Sequence, residues 1–552
     1  MLIGKSTIPK FDLMPIGETP WTDWAESILA AIVSLLIFRF AWIEWPGFHW
    51  DAPFFIRPVL NVASGQGWRY GGYLGFFAHK GNDIYDFHGI LHILFYGLLL
   101  RSQTWKWLSI WMGVVNVITF LLYYGLYRKF MRSSGIRLPF LAILLAIVPA
   151  VIAIGLQGRP EQLGMPLMAM PLLLYGRLPS YGAWLAISGV ISGLLGVSSP
   201  LMGSVYAIGF LIVIWILGSG PAILRLRDGA WFVLATMLTV VVMIDIFTPY
   251  EARQWIVRTI LTGRTAFDSK KFLFGFRTYQ WGFSLVAPLW NLVTLFAVGL
   301  SAWALVRRRL FLPLAVGIAV ISLAASRMLD YGFLPFLPLA LCGLCHRETY
   351  LSLGHIWPPK HGNALKIASI WALLFAYVMG AWLAVSINMG QHFHAASLSR
   401  RSLAEWLPGE LVHDRSIAVG YKGLARPSPL VLLDPRIHAI EIPLNRDAVG
   451  RWSSGAIPDL ELYESKQGTK LKYYILPQKY PFLRKDLPAC LTINGRIFQL
   501  MHDNWTDSVP EFEERLRPRD LPDDFRFALF RAAAPASIPR QSREHCPSPQ
   551  PG

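Results

Sequence analysis

Cysteine is scarce in this chain, four in 552 residues, and charge is thin at 15% of the composition. So few cysteines over such a length exclude a disulfide-stapled scaffold. Cys342 and Cys345 form a CxxC inside an apolar run, LALCGLCHRE, with no further metal or redox ligands around them, so they read as small packing residues. Cys490 and Cys546 are left as a pair that forms only in an oxidising compartment. Acidic residues are outnumbered, 34 against 51 Lys and Arg, which gives a net charge of +17. That balance invites a nucleic-acid partner, but the basic residues are scattered between apolar segments and form no continuous face, so nucleic acid is excluded and lipid phosphates remain. There is no internal repeat and no low-complexity tract. The apolar run near 24–44 follows a 23-residue polar leader, is too long for a signal core and lacks a small-residue cleavage pattern, so it is expected to stay as a signal anchor.

What is present is apolar and aromatic residues, 54% hydrophobic with 22 Trp and 33 Phe. They recur in windows close to the roughly 20 residues a membrane helix needs, which is the signature of a polytopic membrane protein rather than of one large soluble core. Eleven spans are predicted, near 24–44, 107–127, 138–156, 163–176, 181–198, 201–217, 229–247, 284–305, 310–325, 331–346 and 366–387. Basic clusters set the orientation: Lys5 and Lys10; Arg128, Lys129, Arg132 and Arg137; Arg225 and Arg227; Arg307 to Arg309; Arg347, Lys360 and Lys366. All fall on one face, the cytoplasmic one, provided that the run FHGILHILFYGLLLR at 87–101 does not cross. Its length of about 15 residues suits a re-entrant or interfacial helix. The N-terminus is then cytoplasmic and the C-terminal region lies outside.

The fold class expected is a polytopic α-helical membrane protein of about eleven transmembrane helices, with interfacial helices in the first outer loop and a small C-terminal α/β extracytoplasmic domain. The boundaries read as 1–390 for the membrane domain, 391–535 for the α/β domain and 536–552 for a disordered tail rich in Pro, Ser and Arg. Strand-length runs such as RSIAVGY, SPLVLLD and KYYILP, and a helical pattern SVPEFEERL, carry the α/β assignment.

Ionisable residues not explained by orientation gather on the outer face. They sit in the loop 45–106, the turns GRPEQ and SSP, the loop 248–283, the turn SRMLDY and the region beyond about 388. Asp51 stands at the mouth of the first span. A carboxylate there is either a base in a watered cavity or a cap beside Pro53. Asp83 and Asp86 share its loop, where KGNDIYD also uses Asp and Asn for local turns. Candidate phosphate-binding cations are Arg57, Arg69, His79 and Lys80 in the first loop, then Arg159, then Arg253, Arg258, Arg264, Lys270, Lys271 and Arg277, and finally Arg327. Arg159 and Arg327 stand out because short turns pin them to the helix bundle and an Arg fork suits phosphate oxygens. Arg159 is equally placed to pair with Glu161. His88, His92 and Tyr96 recur every four residues on one helical face, which fits either a polar stripe or two ligands of a divalent cation. Asp245 near the end of a span is expected to face the same cavity, since lipid contact would be costly.

The segment WDAPFFIRPVLNVASGQGW resembles the first outer loop of the GT-C superfamily, integral-membrane glycosyltransferases such as the bacterial aminoarabinose transferases and protein O-mannosyltransferases. LQGRPEQLGMPLMAM resembles the outer turn that bears a second acid, and SRMLDYGFLPFLPLALCGL resembles the Arg-Tyr-Pro-Pro late span of that group. Ala52 stands where members often carry a second acid beside the first, and Asp86-Phe87-His88 stands in place of their Lys-Pro-Pro. The resemblance implies transfer of a sugar from a polyprenyl-phosphate donor to a glycolipid, polysaccharide or protein acceptor, at the outer face of a bacterial inner membrane. It implies Asp51 and Glu161 as catalytic residues. Substrate-binding residues would be Arg57, Arg69, Lys80, Asp86, His88, His92, Arg159, Arg264, Arg327 and Tyr331, with a possible divalent cation. The rival is a transporter or flippase for a lipid-linked saccharide, against which stand the lack of inverted repeats and of charged groups at midplane.

Overall fold

The computed structural model describes residues 20–43, 52–63 with Gly65 and Trp68, 89–100, 105–133, 140–217, 221–250, Arg253 and Gln254, and much of 409–533. Nine helices precede residue 255 among them: α1 (Pro20–Ile43), α2 (Ala52–Ala63), α3 (Ile90–Leu99), α4 (Trp105–Ser133), α5 (Leu141–Gly155), α6 (Pro160–Leu174), α7 (Tyr181–Ser198), α8 (Pro200–Leu217) and α9 (Ala222–Phe247). Seven of the eleven expected spans coincide with α1 and α4 to α9; the other four lie outside the described residues. Helices within α4, α7 and α9 are long and apolar enough to cross a membrane, while α3, α5 and the core of α8 are shorter apolar helices. Chain contacts divide the protein into two compact units, one containing α1, the start of α3, α4 from Ser109 onward and α5 to α9, the other containing α2, the end of α3, the start of α4 and the C-terminal region.

Polar pairs fix the direction of the helices in the first unit. Asp23 at the start of α1 pairs with Arg128 and, at 3.1 Å, with Arg132 near the end of α4; Arg128 also meets Glu26 at 3.3 Å. Lys129 Nζ donates to the carbonyls of Leu172, Leu173 and Tyr175 and so caps the C-terminus of α6, where carbonyls have no intrahelical donors. The start of α1 and the ends of α4 and α6 therefore share one end of the unit. At the other end, Gln162 in the first turn of α6 donates to Met112 O at 3.2 Å and to Asn116 Oδ1 at 2.8 Å in α4. With α1 and α4 starting and finishing at the same end, the chain between them has no net crossing, and α3, at 10 residues, spans only about 15 Å. This is the condition that the charge pattern required of the run 87–101.

Local sequence explains the element boundaries. Pro160 opens α6 at its first helical position, where a missing N–H costs nothing. Ser180 caps α7 by accepting from Ala183 N at 3.1 Å. Pro166 and Pro171 interrupt the ladder of α6, and neighbours donate to its carbonyls, Trp184 Nε1 to Pro171 O at 2.9 Å and Tyr206 OH to Met168 O at 2.7 Å. α7 packs on α9 through glycines. A Cβ at Gly193 would lie 2.6 Å from Thr239 Cβ and 2.7 Å from Thr236 O, and one at Gly189 would lie 2.6 Å from Ala235 Cβ. This is the small-residue approach that membrane helices use in place of hydrophobic drive. Gly193→Val is expected to cost about 1–3 kcal/mol through overpacking, read as a lowered thermal midpoint in detergent. Gly155→Ala, with nothing within 4 Å, should not lower it, and equal midpoints for the two variants would refute the glycine seam.

In the second unit α2 ends on the ASG of its motif: Gly65 takes φ +75° and returns its N–H to Val62 O at 3.1 Å. α2 packs closely on α3, since a Cβ at Gly97 would lie 2.9 Å from Val62 Cγ1. The C-terminal region forms one mixed sheet of eight strands in the order β2-β1-β5-β8-β7-β6-β4-β3. RSIAVGY supplies β1 (Ile417–Tyr421) and KYYILP falls in β5 (Lys470–Pro477); the others are β2 (His438–Glu441), β3 (Asn445–Arg446), β4 (Trp452–Ser453), β6 (Cys490–Ile493), β7 (Arg496–Asp503) and β8 (Phe527–Ala532). SPLVLLD and SVPEFEERL lie outside the described residues. β6 and β7 are joined by Asn494-Gly495 at φ 46° and 75°, the two-residue turn whose twist matches that of paired strands. Ala418, Ile440, Leu471, Tyr474, Leu491, Phe498 and Phe530 form its buried core. A short helix, α10 (Glu410–His413), is tied to β5 by Lys472 Nζ to Glu410 Oε2 at 2.7 Å and by the Tyr473 hydroxyl on the same carboxylate. Cys490 is disulfide-bonded, to a partner outside the described residues.

Candidate functional site at the head of helix α6

The turn joining α5 to α6 and the first turn of α6 carry two of the expected residues, Arg159 and Glu161. Arg159 is extended at φ −99°, ψ 151° and directly precedes Pro160, so its side chain and that of Glu161 flank the helix start. The Arg159 fork closes on Glu161, Nε to Oε2 at 2.9 Å and Nη2 to Oε1 at 3.1 Å. The sequence left Arg159 between a phosphate and Glu161; the structure gives its fork to the carboxylate. Both side chains are largely shielded, 16% and 10% exposed, which matters because a bidentate pair out of water is far stronger than a surface one.

The short turn between α7 and α8 comes to the same place. Ser198 Oγ donates to Pro160 O at 2.7 Å and Ser199 Oγ to Glu161 Oε1 at 3.3 Å. Thus GRPEQ and SSP, distant in sequence, meet at one end of the helical unit. Below the carboxylate, Gln162 holds Asn116 of α4. His92 of α3 completes the group. It is fully buried, and burial pushes its imidazole down to about 3 against an opposing pull from the Glu161 carboxylate, so the ring is neutral at pH 7. Gly89 leaves room for this approach, because a Cβ there would lie 2.7 Å from Pro160 Cγ. Its φ of +81° suits glycine as well.

Glu161, Arg159 and His92 are therefore brought together. Asp51, Arg69, Lys80, Asp86, His88, Arg264, Arg327 and Tyr331 lie outside the described residues, and Arg57 is placed on α2 by its backbone alone. Tyr96, one turn beyond His92, is fully buried. Asp245 departs from expectation: its side chain is 65% exposed and pairs with Arg253 Nη1 at 2.6 Å, because an arginine eight residues on neutralises it without a cavity. Gln162, Asn116 and Ser199 were missed by sequence reasoning. Gln162 was legible as a polar residue one turn into an apolar helix, but Asn116 and Ser199 depended on which helices touch. Among the described residues no group of three or more His, Cys, Asp or Glu side chains gathers in a way that could hold a metal ion.

No protein-family model matches this chain, and no curated protein matches it. Among solved structures it is similar to the archaeal oligosaccharyltransferase AglB from Archaeoglobus fulgidus, in complex with an inhibitory peptide and a dolichol-phosphate, with a TM-score of 0.41 and 11% identity over 83% of this chain and 70% of that one. It is also similar to the arabinofuranosyltransferase AftD from mycobacteria, with a TM-score of 0.44 and 20% identity over 93% of this chain. The match covers 41% of the length of AftD. Both names are those of enzymes that transfer sugars.

Proposed function

We propose that this protein is a membrane glycosyltransferase of the GT-C type. It moves a sugar from a polyprenyl-phosphate donor to a glycolipid, polysaccharide or protein acceptor at the outer face of a bacterial inner membrane. The observation that carries the reading is the shielded Arg159–Glu161 pair, held at the end of the helical unit opposite Arg128, Lys129 and Arg132 of α4. By the charge pattern that end is the outer one. A carboxylate fixed there by an arginine fork and a serine, near a buried histidine, is built to orient a hydroxyl, not to anchor lipid headgroups. The disulfide at Cys490 supports an oxidising, periplasmic setting for the C-terminal sheet.

Asp51 is the base that takes the proton from the acceptor, and Glu161 positions the reacting sugar or acceptor. Outer-loop cations, Arg57, Arg69, Lys80, Arg264 and Arg327, neutralise the lipid phosphate as it departs. Asp86, His88, His92 and Tyr331 line the substrate site.

The test is transfer in liposomes from a panel of labelled polyprenyl-phosphate sugars. Labelled product on an added acceptor is the expected result. Movement of the labelled lipid between leaflets, with the sugar still on its phosphate, would establish the flippase instead.

A further inference from the structure

We propose that the side-chain amides of Gln157 and Asn116 bind hydroxyls of the transferred sugar and so set which sugar is accepted; this rests on the glycosyltransferase reading above. Gln157 lies in the turn that carries Arg159, two residues earlier, and the turn is closed by Arg159 N to Leu156 O at 2.9 Å. Its side chain is 0% exposed, yet neither Oε1 nor Nε2 has a hydrogen-bond partner. Asn116 is also 0% exposed; its Oδ1 accepts from Gln162 in the first turn of α6, while its Nδ2 has no partner. Buried amides are almost always satisfied, because burying one unpaired is costly. Two such groups by the same helix head, in a chain with ample apolar residues to fill a core, mark a place where hydrogen bonds come from a bound molecule.

The kind of molecule follows from the inventory. Nε2 and Nδ2 only donate, and Oε1 only accepts. An ionised phosphate accepts and would leave Oε1 unpaired. A cation would satisfy Oε1 and repel the two N–H groups. A hydroxyl donates and accepts at once, so a polyhydroxylated ring satisfies all three atoms. Glu161, held alongside by Arg159 and Ser199, offers a further acceptor to such a ring. The amides thus read the sugar, while the phosphate is left to the cations.

The experiment measures binding, in detergent, of bare polyprenyl phosphate and of the same lipid carrying mannose, glucose or arabinofuranose, to wild type, Gln157→Met and Asn116→Asp. Asn116→Asp keeps an oxygen acceptor for Gln162 and puts a carboxyl oxygen in place of the amide donor, so it serves where Gln157→Met fails to fold. Wild type is expected to prefer one sugar-bearing lipid over the bare one. Each variant should lose roughly tenfold in affinity for that lipid, the usual scale for a buried hydrogen bond left unmade, and bind the bare phosphate lipid as before. A wild type that discriminates and variants that discriminate equally well would overturn the assignment and leave the glycosyltransferase reading standing. A wild type that binds every lipid alike would remove both.

Discussion

Arg159→Met is expected to lower transfer at least about a hundredfold and to destabilise the protein by about 3–5 kcal/mol, the usual cost of breaking a shielded ion pair. The loss comes from what remains behind: a carboxylate 10% exposed, stripped of a fork that contacts it at 2.9 and 3.1 Å. Ser199, at 3.3 Å, cannot replace a charge-assisted bidentate contact. Replacing both partners, Arg159→Met with Glu161→Met, removes the stranded charge and should restore the thermal midpoint toward wild type. Transfer should not return, because the carboxylate that orients the substrate is gone. Midpoints and initial rates of the single and double variants separate the two roles. A double variant that transfers at the wild-type rate would make the pair a structural clasp.

Asp51→Asn is expected to abolish transfer, with a loss of about 10²–10⁴-fold in kcat, the range for removing a general base, while donor binding stays within about twofold. The substitution is chosen for its shape. Asp51 immediately precedes α2 in the sequence, and Asn caps a helix about as well as Asp. The variant therefore preserves the capping role and removes only the proton acceptor. Full activity in Asp51→Asn would return that residue to capping and direct the search for a base to Glu161. A variant inactive because it no longer binds donor would place Asp51 in binding and not in proton transfer.

Much of the scaffold was legible because it depends on local rules. The apolar windows near 107–127, 181–198 and 229–247 became α4, α7 and α9, since a segment without water must satisfy its own backbone. Pro160, Ser180 and the ASG ending of α2 signalled where helices begin and stop. The Asn494-Gly495 hairpin was equally readable and passed unnoticed among the longer strand runs. Charge spacing also announced that the run 87–101 stays on one side, because only that arrangement puts Arg128 to Arg137 with the other basic clusters.

The sequence by itself determined a membrane helical protein with a C-terminal sheet and the relative direction of its first helices. Those follow from composition and periodicity, which act through near neighbours. Only the tertiary structure decided what each residue does with its partners. It gave the Arg159 fork to Glu161 and exposed Asp245 to Arg253. It used Lys129, a plain positive-inside residue by sequence, to cap α6. It also buried Gln157 and half of Asn116 without partners. These outcomes turn on which helices touch at which depth, and a hydrogen bond exists only within about 3 Å, a scale on which residue spacing along a chain says nothing until the chain is packed.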